Sequence, residues 1–563
     1  MTDQPKADST DQIDQSYYDL GSYRRSVSST SKEAREWANR GLIWSYAFNH
    51  EEAAKCFEQA IANDEDCVFA YWGLAYVLGP NYNKPWEFFD ETELENVMQR
   101  TRSAIAKAKA SAAKASPVER ALVDALKYRY PEDKAADRNW SIWNVSYADA
   151  MGEVYARFPD DLDIATLYVD ALMNLTPWQL WDLETGAPAP GARTLEAKEI
   201  LERAMAQPGG SHHPGLLHLY IHLMEMSLTP ETALPAANTL RELVPDAGHL
   251  NHMPTHIDVL VGDYASAITS NQSAIVADDK FFARDPGHAF YTLYRMHDMH
   301  FRIYAAMFAG QSRVALSTVS RVEAALPESL LRVESPPMAD WLEGFVGMRM
   351  HVLIRFGLWD DILGVRERED GELYCTTNAM VAYAGGMAYA AKGDVGRARE
   401  LRGVFGERVK RVPKSRTVFN NTCVDILGVA EAMLDGELTY REGLYEDAFK
   451  HLRTAVERSS ALPYDEPWGW MQPPAHALGA LLVEQGHFDK AVEVYADDLG
   501  ISGTLPRALQ HRNNVWALHG YHECLVKLGR IEEAKKIKPQ LDKAIEGADI
   551  PIKASCYCRL SAF

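Results

Sequence analysis

Apolar residues recur at helical spacing along most of this chain. In residues 34–67, AREWANRGLIWSYAFNHEEAAKCFEQAIANDEDC, bulky and small apolar residues return every three to four positions in two successive segments. That spacing places them on one face of each of two helices. Alternating runs of β-branched residues, which indicate half-buried strands, do not occur in the sequence. The pattern therefore predicts an all-α protein.

The two-segment pattern is repeated along the chain in units of 34 residues. Most units carry Gly or Asn at the turn between the segments and Ala five residues later, as in GDYASA (262–267) and GHFDKA (486–491). Such a unit cannot bury its apolar face alone, so consecutive units are expected to stack into a solenoid. Nine units are recognisable, beginning at or near residues 34, 214, 248, 296, 343, 379, 429, 472 and 515.

The first unit has its large and small residues at offsets 4, 8, 11, 20, 24 and 27, which are Trp37, Gly41, Trp44, Ala53, Phe57 and Ala60. This spacing resembles the tetratricopeptide repeat (TPR). The resemblance implies antiparallel helix pairs that form a superhelix, in which positions 2, 5, 9 and 12 of each first helix line the concave groove.

Two stretches together resemble a widespread group of microbial TPR-like proteins: residues 51–85 and the histidine-rich series between 212 and 300. The resemblance runs along most of the chain to the SCYC sequence near the C-terminus. Asn81 and Asn83, in GPNYN, belong to the same pattern, although turn chemistry alone explains them as the end of a helix. The resemblance implies the fold and histidines that act as a set, but no particular reaction.

Composition divides the chain into five expected regions, and three segments interrupt the repeats. Residues 80–95, 176–193 and 464–474 are rich in Pro, Gly and Trp, and we expect long ordered loops that close over the groove. The regions are a disordered or loosely packed arm (1–30), N-terminal repeats with loop insertions (31–210), histidine-rich repeats (211–328), C-terminal repeats (329–548) and a C-terminal tail (549–563).

The charge of the chain excludes several kinds of partner. It has 58 Lys and Arg against 79 Asp and Glu, a net charge of −21, which disfavours nucleic acids and anionic membranes. No apolar stretch is long enough to span a bilayer, and the first residues lack a signal-peptide pattern, so we expect a cytoplasmic protein. Seven cysteines do not make a disulfide framework. Cys556 and Cys558 fit either a reduced, mobile tail or a redox pair or soft-metal clip.

Histidine is unusually concentrated in one region. Ten of the 18 histidines fall between residues 212 and 300. Offsets of 3, 4 and 7 residues keep the members of each group on one helical face, and neighbouring first helices lie about 8–10 Å apart. Seven of these histidines occupy positions 2, 5 or 9 of the first helix in three consecutive units: His218, His222, His249, His252, His256, His297 and His300.

These seven histidines, together with Glu225 at position 12, predict a metal site. Two HxxxH pairs and an HxxH pair offer more ligands than one ion takes, which favours two ions. Imidazole without thiolate favours copper, with iron or zinc as alternatives. A proton-linked recognition surface remains an alternative without metal. His212, His213 and His288 are expected just outside the helices. His476 and His519 are interpreted as ordinary groove residues.

We expect a metal-dependent oxidoreductase, with a dinuclear copper or iron centre, that uses oxygen on a small aromatic molecule in the groove. The alternatives are a non-catalytic TPR module that binds a peptide in a histidine-lined groove, and a zinc hydrolase or metal store. No P-loop or GxGxxG follows a strand, so no nucleotide cofactor is expected. Residues expected to contact substrate in the pocket are Asn81, Asn83, Trp86, Trp468 and Tyr304.

Overall fold

The computed structural model describes residues 17–131, 139–287 and 290–563, and these residues form an all-α, TPR-like protein. The helices before the histidine-rich region are α1 Lys32–Tyr46, α2 His50–Asn63, α3 Val68–Leu78, α4 Glu91–Ala110, α5 Pro117–Arg129, α6 Trp140–Arg157, α7 Leu162–Met173 and α8 Thr194–Met205.

The histidine-rich region follows with α9 Pro214–Glu225, α10 Leu234–Leu240, α11 Gly248–His252, α12 Pro254–Val261, α13 Tyr264–Arg284, α14 Thr292–Phe308 and α15 Ser312–Ala325. The break between α11 and α12 falls at Pro254, whose backbone has no N–H to continue the helical bonding.

The C-terminal region contains α16 Glu328–Leu331, α17 Met338–Val346, α18 Met348–Arg355, α19 Trp359–Gly364, α20 Cys375–Ala391, α21 Val395–Val409, α22 Cys423–Arg441, α23 Tyr445–Ser460, α24 Pro474–Glu484, α25 Phe488–Asp498, α26 Val515–Lys527 and α27 Ile531–Gly547. Two short antiparallel strands, β1 Thr417–Val418 and β2 Asn421–Thr422, form a hairpin between α21 and α22. Single-turn 3₁₀ helices cover Trp86–Phe88, Ala112–Lys114, Gly210–His212, Pro230–Ala233, Arg507–Leu509 and Leu560–Ala562.

All nine predicted repeat units fall on helix pairs. Within each pair the two helices pack on one another, as α1 with α2 and α22 with α23, and successive first helices also touch, as α20 with α22 and α24 with α26. The turn glycines adopt left-handed backbone angles that favour Gly, with φ of 79° at Gly262, 81° at Gly393 and 78° at Gly486. The repeat prediction is therefore confirmed, and no described helix is long and apolar enough to cross a membrane.

Small residues allow the helices of neighbouring units to approach closely. The ring of Phe57 on α2 lies between Gly41 on α1 and Gly73 on α3, where an added Cβ would come within 2.9 Å and 2.3 Å of it. Near the other end of the chain, Tyr495 on α25 packs in the same way on Gly479 and Gly520. The equivalent packing at both ends shows that one structural unit is repeated along the chain.

The solenoid curls back so that its last repeats contact its middle ones. The Trp516 indole donates a hydrogen bond of 2.7 Å to the Met307 carbonyl, and an Arg507 Nη2 donates one of 2.7 Å to the Leu260 carbonyl. Asp549, just after α27, accepts a hydrogen bond of 2.7 Å from the Ser312 backbone N–H. This closure, which the repeat pattern did not predict, encloses the face of the middle helices that an open superhelix would leave as a groove.

The two ends of the chain are packed rather than loose. Residues 17–30 form no helix, but Leu20 and Val27 are buried and Arg25 forms ion pairs with Asp161 and Asp163 on either side of the α7 N-terminus. Residues 17–30 of the expected disordered or loosely packed arm thus contact the rest of the chain, and residues 1–16 lie outside the described part of the chain.

The C-terminal tail is also ordered, and this differs from the expectation of a reduced, mobile segment. Cys556 and Cys558 form a disulfide, and Ser555 is buried. The Ser555 hydroxyl donates to the His476 carbonyl at 2.8 Å and lies 2.5 Å from the Tyr495 hydroxyl. The tail is thus bound to α24 and α25.

Candidate metal centre

The predicted histidines come together in the enclosed centre of the solenoid. His218 and His222 project from α9, while His249 and His252 lie on α11. His256 follows on α12, on the same face despite the helix break, and His297 and His300 lie on α14. The exposed fraction of these histidines is 0% on α9, α11 and α12 and reaches 7% at His297. The expectation that they line an open groove is therefore replaced by a buried cluster.

The first set of converging donors is a histidine triad, His218, His222 and His249, with ligand atoms all within 4.8 Å of one another. The Nδ1–H of His218 donates a 2.6 Å hydrogen bond to the Tyr46 carbonyl, which leaves Nε2 without a proton. That Nε2, the Nε2 of His222 and both ring nitrogens of His249 are buried without a hydrogen-bond partner among the described residues.

The second triad is His252, His256 and His297, also within 4.8 Å. Its three Nε2 atoms converge, at 2.8 Å between His252 and His256 and 3.3 Å between His297 and His256. The Nδ1 of His252 lies 2.6 Å from Oδ1 of Asn271, whose Nδ2 donates to the Ala267 carbonyl. Because Asn271 Oδ1 is an acceptor, Nδ1 of His252 carries the proton and Nε2 is free to bind a metal.

Glu225 connects the two triads. Its Oε1 lies 3.0 Å from Nδ1 of His222 in the first triad, and its Oε2 lies 2.5 Å from Nδ1 of His256 in the second. A carboxylate on the Nδ1 side holds the imidazole so that Nε2 faces the metal. His222, Glu225 and His256 form a third group close enough to hold an ion themselves, so the geometry allows Glu225 to be a ligand as well.

Burial keeps most of these imidazoles neutral, which is the form that binds metal ions. His256 differs, because although burial opposes its protonation, the carboxylates of Glu225 and Glu466 outweigh this effect and raise its pKa to about 10. Desolvation by burial, with smaller contributions from neighbouring imidazoles, lowers the pKa well below its ordinary value for His218, His222, His249, His252 and His297.

The remaining histidines fall outside the three converging groups of the described chain. His300 is buried with both ring nitrogens unpartnered, but it packs edge-on against Phe345 instead of joining a triad. His213 caps α9 by accepting the Leu216 N–H at 3.2 Å, whereas His212 is exposed. His476 is bound to Arg355 and Asp498, and His519 is part-buried on α26. His288 lies outside the described residues.

Three aromatic rings around the histidines are held on strained backbone. Phe48, Trp178 and Phe419 have φ of 55°, 59° and 48°, the left-handed region that costs a bulky residue about 1–3 kcal/mol. Phe48 lies 4.5 Å from the ring of His218, centroid to centroid, Trp178 lies 5.7 Å from His222 and Phe419 lies 5.0 Å from His297. Strain of this kind concentrates at functional sites, where the surrounding structure holds it in place.

A cavity of about 360 Å³ adjoins the second triad, with His297 in its wall. Residues from all three loops singled out in the sequence line it: Asn83 and Phe88, Trp178, and Asp465. The β1–β2 hairpin adds Thr417, Phe419 and Asn420, which no sequence pattern had indicated.

Of the predicted pocket residues, Asn83 is the one that lines this cavity. Asn81 instead closes a turn, its Oδ1 accepting the N–H of Asn83 and of Lys84 at 2.9 Å. Trp86 is buried against Trp140, the Trp468 indole donates to the Ser459 carbonyl, and Tyr304 packs on Phe308. These four residues do not line this cavity, and each side chain is used in packing or in a turn.

Glu466 is a further residue beside the histidines that the sequence analysis missed. Its Oε2 lies 3.0 Å from Nδ1 of His256, and its Oε1 accepts a hydrogen bond from the Tyr464 hydroxyl. The YDEPW segment that contains it was recognised as a loop, but its position in the sequence, more than 200 residues after His256, gave no sign of contact.

No family model and no curated protein matches this chain. Solved structures of TPR-repeat proteins are similar to it at low identity. They include Naa15/Naa10 bound to HypK-THB (12% identity over 92% of this chain and 71% of that chain, TM-score 0.22), the APC/C hetero-tetramer Cut9-Hcn1 (10%, 91% and 96%, 0.25) and yeast Tom70 (11%, 92% and 93%, 0.26). Because these TM-scores are low, the assignment of the fold depends on the helix pairs of the structure itself.

Proposed function

We propose that this protein binds two transition-metal ions, one in each histidine triad. The observation that carries the proposal is the convergence of buried imidazole nitrogens in each triad. In the first triad, Nε2 of His218, Nε2 of His222 and both ring nitrogens of His249 have no hydrogen-bond partner among the described residues, and in the second triad the Nε2 atoms lie 2.8 Å and 3.3 Å apart. An unpartnered buried polar group costs about 1–3 kcal/mol, and a cluster of them is stable when a cation satisfies all of them together. The Nδ1 atoms of His218, His222, His252 and His256 are already bonded to protein groups, as is usual for metal ligands.

Copper is the metal that the donor set favours, with iron or zinc as alternatives. Each triad offers three imidazoles and no thiolate. Di-iron centres in helical proteins take several carboxylate ligands, whereas Glu225 has both oxygens bonded to histidine Nδ1 atoms. An imidazole-only ligand set suits copper better than a carboxylate-bridged iron pair.

We further propose that the centre is that of an oxidoreductase acting on a small aromatic molecule in the adjoining cavity. Bound copper would supply one-electron redox chemistry and reactivity toward dioxygen. In its simplest form the reaction takes two electrons and two protons from the substrate and passes them to dioxygen, which leaves as hydrogen peroxide. Phe419 and Trp178 provide apolar surface for the substrate and exclude water from the side of His297 and His222.

Metal analysis of matched variants tests the first part. Purified protein should contain about two equivalents of one transition metal by inductively coupled plasma mass spectrometry. The His218→Ala/His249→Ala and His252→Ala/His256→Ala variants should each lose about one equivalent, and His212→Ala, at an exposed histidine two residues before α9, should lose none. Stoichiometric metal that survives both double substitutions, or no metal after reconstitution with copper, iron or zinc, would overturn the proposal.

Oxygen consumption tests the second part. Copper- or iron-loaded protein should consume oxygen with a phenolic or arylamine substrate, and the triad variants should not. Zinc bound in the triads without oxygen consumption would instead favour a hydrolase or a metal store, because zinc has no redox chemistry.

A protein-interaction module is the second candidate, and the TPR-like repeats favour it. Because the triad histidines are buried, a peptide partner would bind to an outer helix face of this chain rather than to the histidines. Copurification of a stoichiometric partner that remains bound to both triad variants would support this function.

A further inference from the structure

The cavity beside His297 is lined by an unusual combination of residues. Aromatic rings predominate, and one carboxyl group, that of Asp465, lies among them. None of the described lining residues is Lys or Arg. The six rings are Phe88, Trp178, Phe290, Tyr294, Trp341 and Phe419.

Asp465 is buried, with 3% of its surface exposed, and its hydrogen-bond donors among the described residues are uncharged. Its described hydrogen bonds both reach Oδ2, from Nδ2 of Asn421 at 2.9 Å and from the backbone N–H of Asn420 at 3.1 Å. Neither donor is charged, and burial raises the pKa of Asp465 to about 8. A buried carboxyl group without an opposite charge is stabilised in its ionised form when a cation binds beside it.

The ammonium group of Lys84, which lies near one of these rings, already has an acidic partner. Lys84 has its Nζ 4.4 Å from the Phe290 ring centroid, but it forms an ion pair with Glu93 and does not line the cavity. Aromatic faces attract cations as well, because the π-electrons make the face of a ring negative. Both features of the wall therefore favour a positively charged ligand and disfavour an anionic one.

We propose that this cavity binds an aromatic molecule that carries a protonated amine, with its ring against Trp178 and Phe419 and its ammonium group at Asp465. The volume of about 360 Å³ is at the lower end of the range for small-ligand sites, about 300–1,000 Å³, and suits a single-ring compound. That this ligand is the substrate rests on the proposed function, because His297 belongs to both the cavity wall and the second triad. The binding preference itself does not require metal.

Three single-ring probes that differ in charge test the inference: tyramine (cationic), 4-ethylphenol (neutral) and 4-hydroxyphenylacetate (anionic). Isothermal titration calorimetry of the full chain at pH 7.5, with and without chelator, should show tyramine binding at least tenfold more tightly than 4-hydroxyphenylacetate, with 4-ethylphenol between them. Equal or tighter binding of the anion, or no binding of any probe, would overturn the inference.

The Asp465→Asn variant separates the carboxylate from the rest of the cavity. It should bind tyramine at least tenfold more weakly and 4-ethylphenol within about threefold of the wild type, while Asp361→Asn, at an exposed residue on α19, should change neither. If Asp465→Asn does not fold, Trp178→Leu is the second variant, and it should weaken tyramine and 4-ethylphenol together. An unchanged affinity for tyramine in Asp465→Asn would place the ammonium group elsewhere and overturn the proposal.

The metal proposal fails or stands independently of this result. Tyramine binding by protein that takes up no metal would leave the ligand preference intact and remove its role as substrate. Metal uptake without probe binding would have the opposite meaning.

Discussion

Oε2 of Glu225 accepts a 2.5 Å hydrogen bond from Nδ1 of His256, although the two residues are 31 positions apart. The other oxygen, Oε1, lies 3.0 Å from Nδ1 of His222, so one carboxylate orients one imidazole in each triad. Both residues of this pair are fully buried. The arrangement explains how two sets of histidines on adjacent helices are held in a common orientation.

Substitution of Glu225 should therefore affect both triads at once. In Glu225→Gln the amide NH₂ cannot accept from a histidine Nδ1–H, so either His222 or His256 must change its tautomer or rotate. We expect metal affinity to fall by about 10–100-fold, the usual cost of losing a hydrogen-bond partner of a metal-bound histidine. Competition with a chromophoric chelator measures it. Glu231→Gln, at an exposed residue after α9, is the control, and an unchanged affinity in Glu225→Gln would contradict the assigned role.

Gly248 begins the helix that carries His249 and His252, and it has no room for a side chain. A Cβ there would lie 2.1 Å from Oδ1 of Asp278 and 3.2 Å from the Ala274 carbonyl oxygen. In Gly248→Ala we expect Asp278 to move and to lose its 3.0 Å hydrogen bond from the Tyr291 hydroxyl, with a stability loss of about 1–3 kcal/mol. The free energy of unfolding, measured in urea, and the metal content should both decrease. A variant as stable and as metal-rich as the wild type would show that the start of the helix can adjust.

Repeat packing predicts opposite effects for two glycine-to-alanine substitutions. In Gly73→Ala the new Cβ meets the buried Phe57 ring at 2.3 Å, and we expect a loss of about 1–3 kcal/mol. In Gly403→Ala, on an exposed part of α21, the new Cβ meets no other described side chain within 4 Å, so the higher helix propensity of Ala should add up to about 1 kcal/mol. Thermal unfolding followed by circular dichroism compares them. Equal shifts of the unfolding temperature in both variants would mean that close packing at Gly73 does not contribute to stability.

The pH dependence of stability should contain a contribution from His351, which belongs to neither triad. Burial lowers the pKa of His351 to about 3, whereas in the unfolded chain it is about 6.5. Above pH 6.5 the residue is neutral in both states; below it, only the unfolded chain takes up the proton, so stability falls as the pH decreases. At pH 5.5 this residue lowers the free energy of unfolding by about 1.4 kcal/mol relative to pH 8.

The His351→Phe variant should remove that part of the pH dependence, since its ring can still contact Trp470 and the substitution removes Nδ1 of His351, which is buried without a partner among the described residues. Urea unfolding of chelator-treated protein at pH 8 and pH 5.5 measures the change. His212→Gln should leave the pH dependence as in the wild type. A His351→Phe variant that loses as much stability on acidification as the wild type would contradict the assignment.

The helix pairs could be predicted from the sequence because their signals are local. Apolar spacing fixes which face of each helix is buried, and Gly at the turn, as at Gly262 and Gly486, supplies the left-handed backbone that ends one helix before the next begins. The histidines could be placed on shared faces by the same periodicity. Their convergence from α9, α11, α12 and α14 followed from stacking of neighbouring units.

The residues that surround the triads and the cavity are brought there by contacts between distant parts of the chain, which no local sequence pattern contains. Glu466 reaches His256 across 210 positions, and Phe419 reaches His297 from a hairpin that has only two residues in each strand. Trp178 and Phe419 adopt backbone angles that their own residue types disfavour, and packing by the rest of the chain holds them there. Local propensity argues against such conformations, so the sequence could not predict them.

The sequence by itself thus determined the repeating helix pairs and the shared faces of the histidines, because hydrogen bonding and side-chain periodicity within a helix act over three to four residues. Only the tertiary structure decided that the solenoid closes, that the histidines form two buried triads and that an aromatic cavity adjoins one of them. Those features depend on how distant repeats and irregular loops pack together, and the free energy of that packing comes from burying surface between segments hundreds of residues apart.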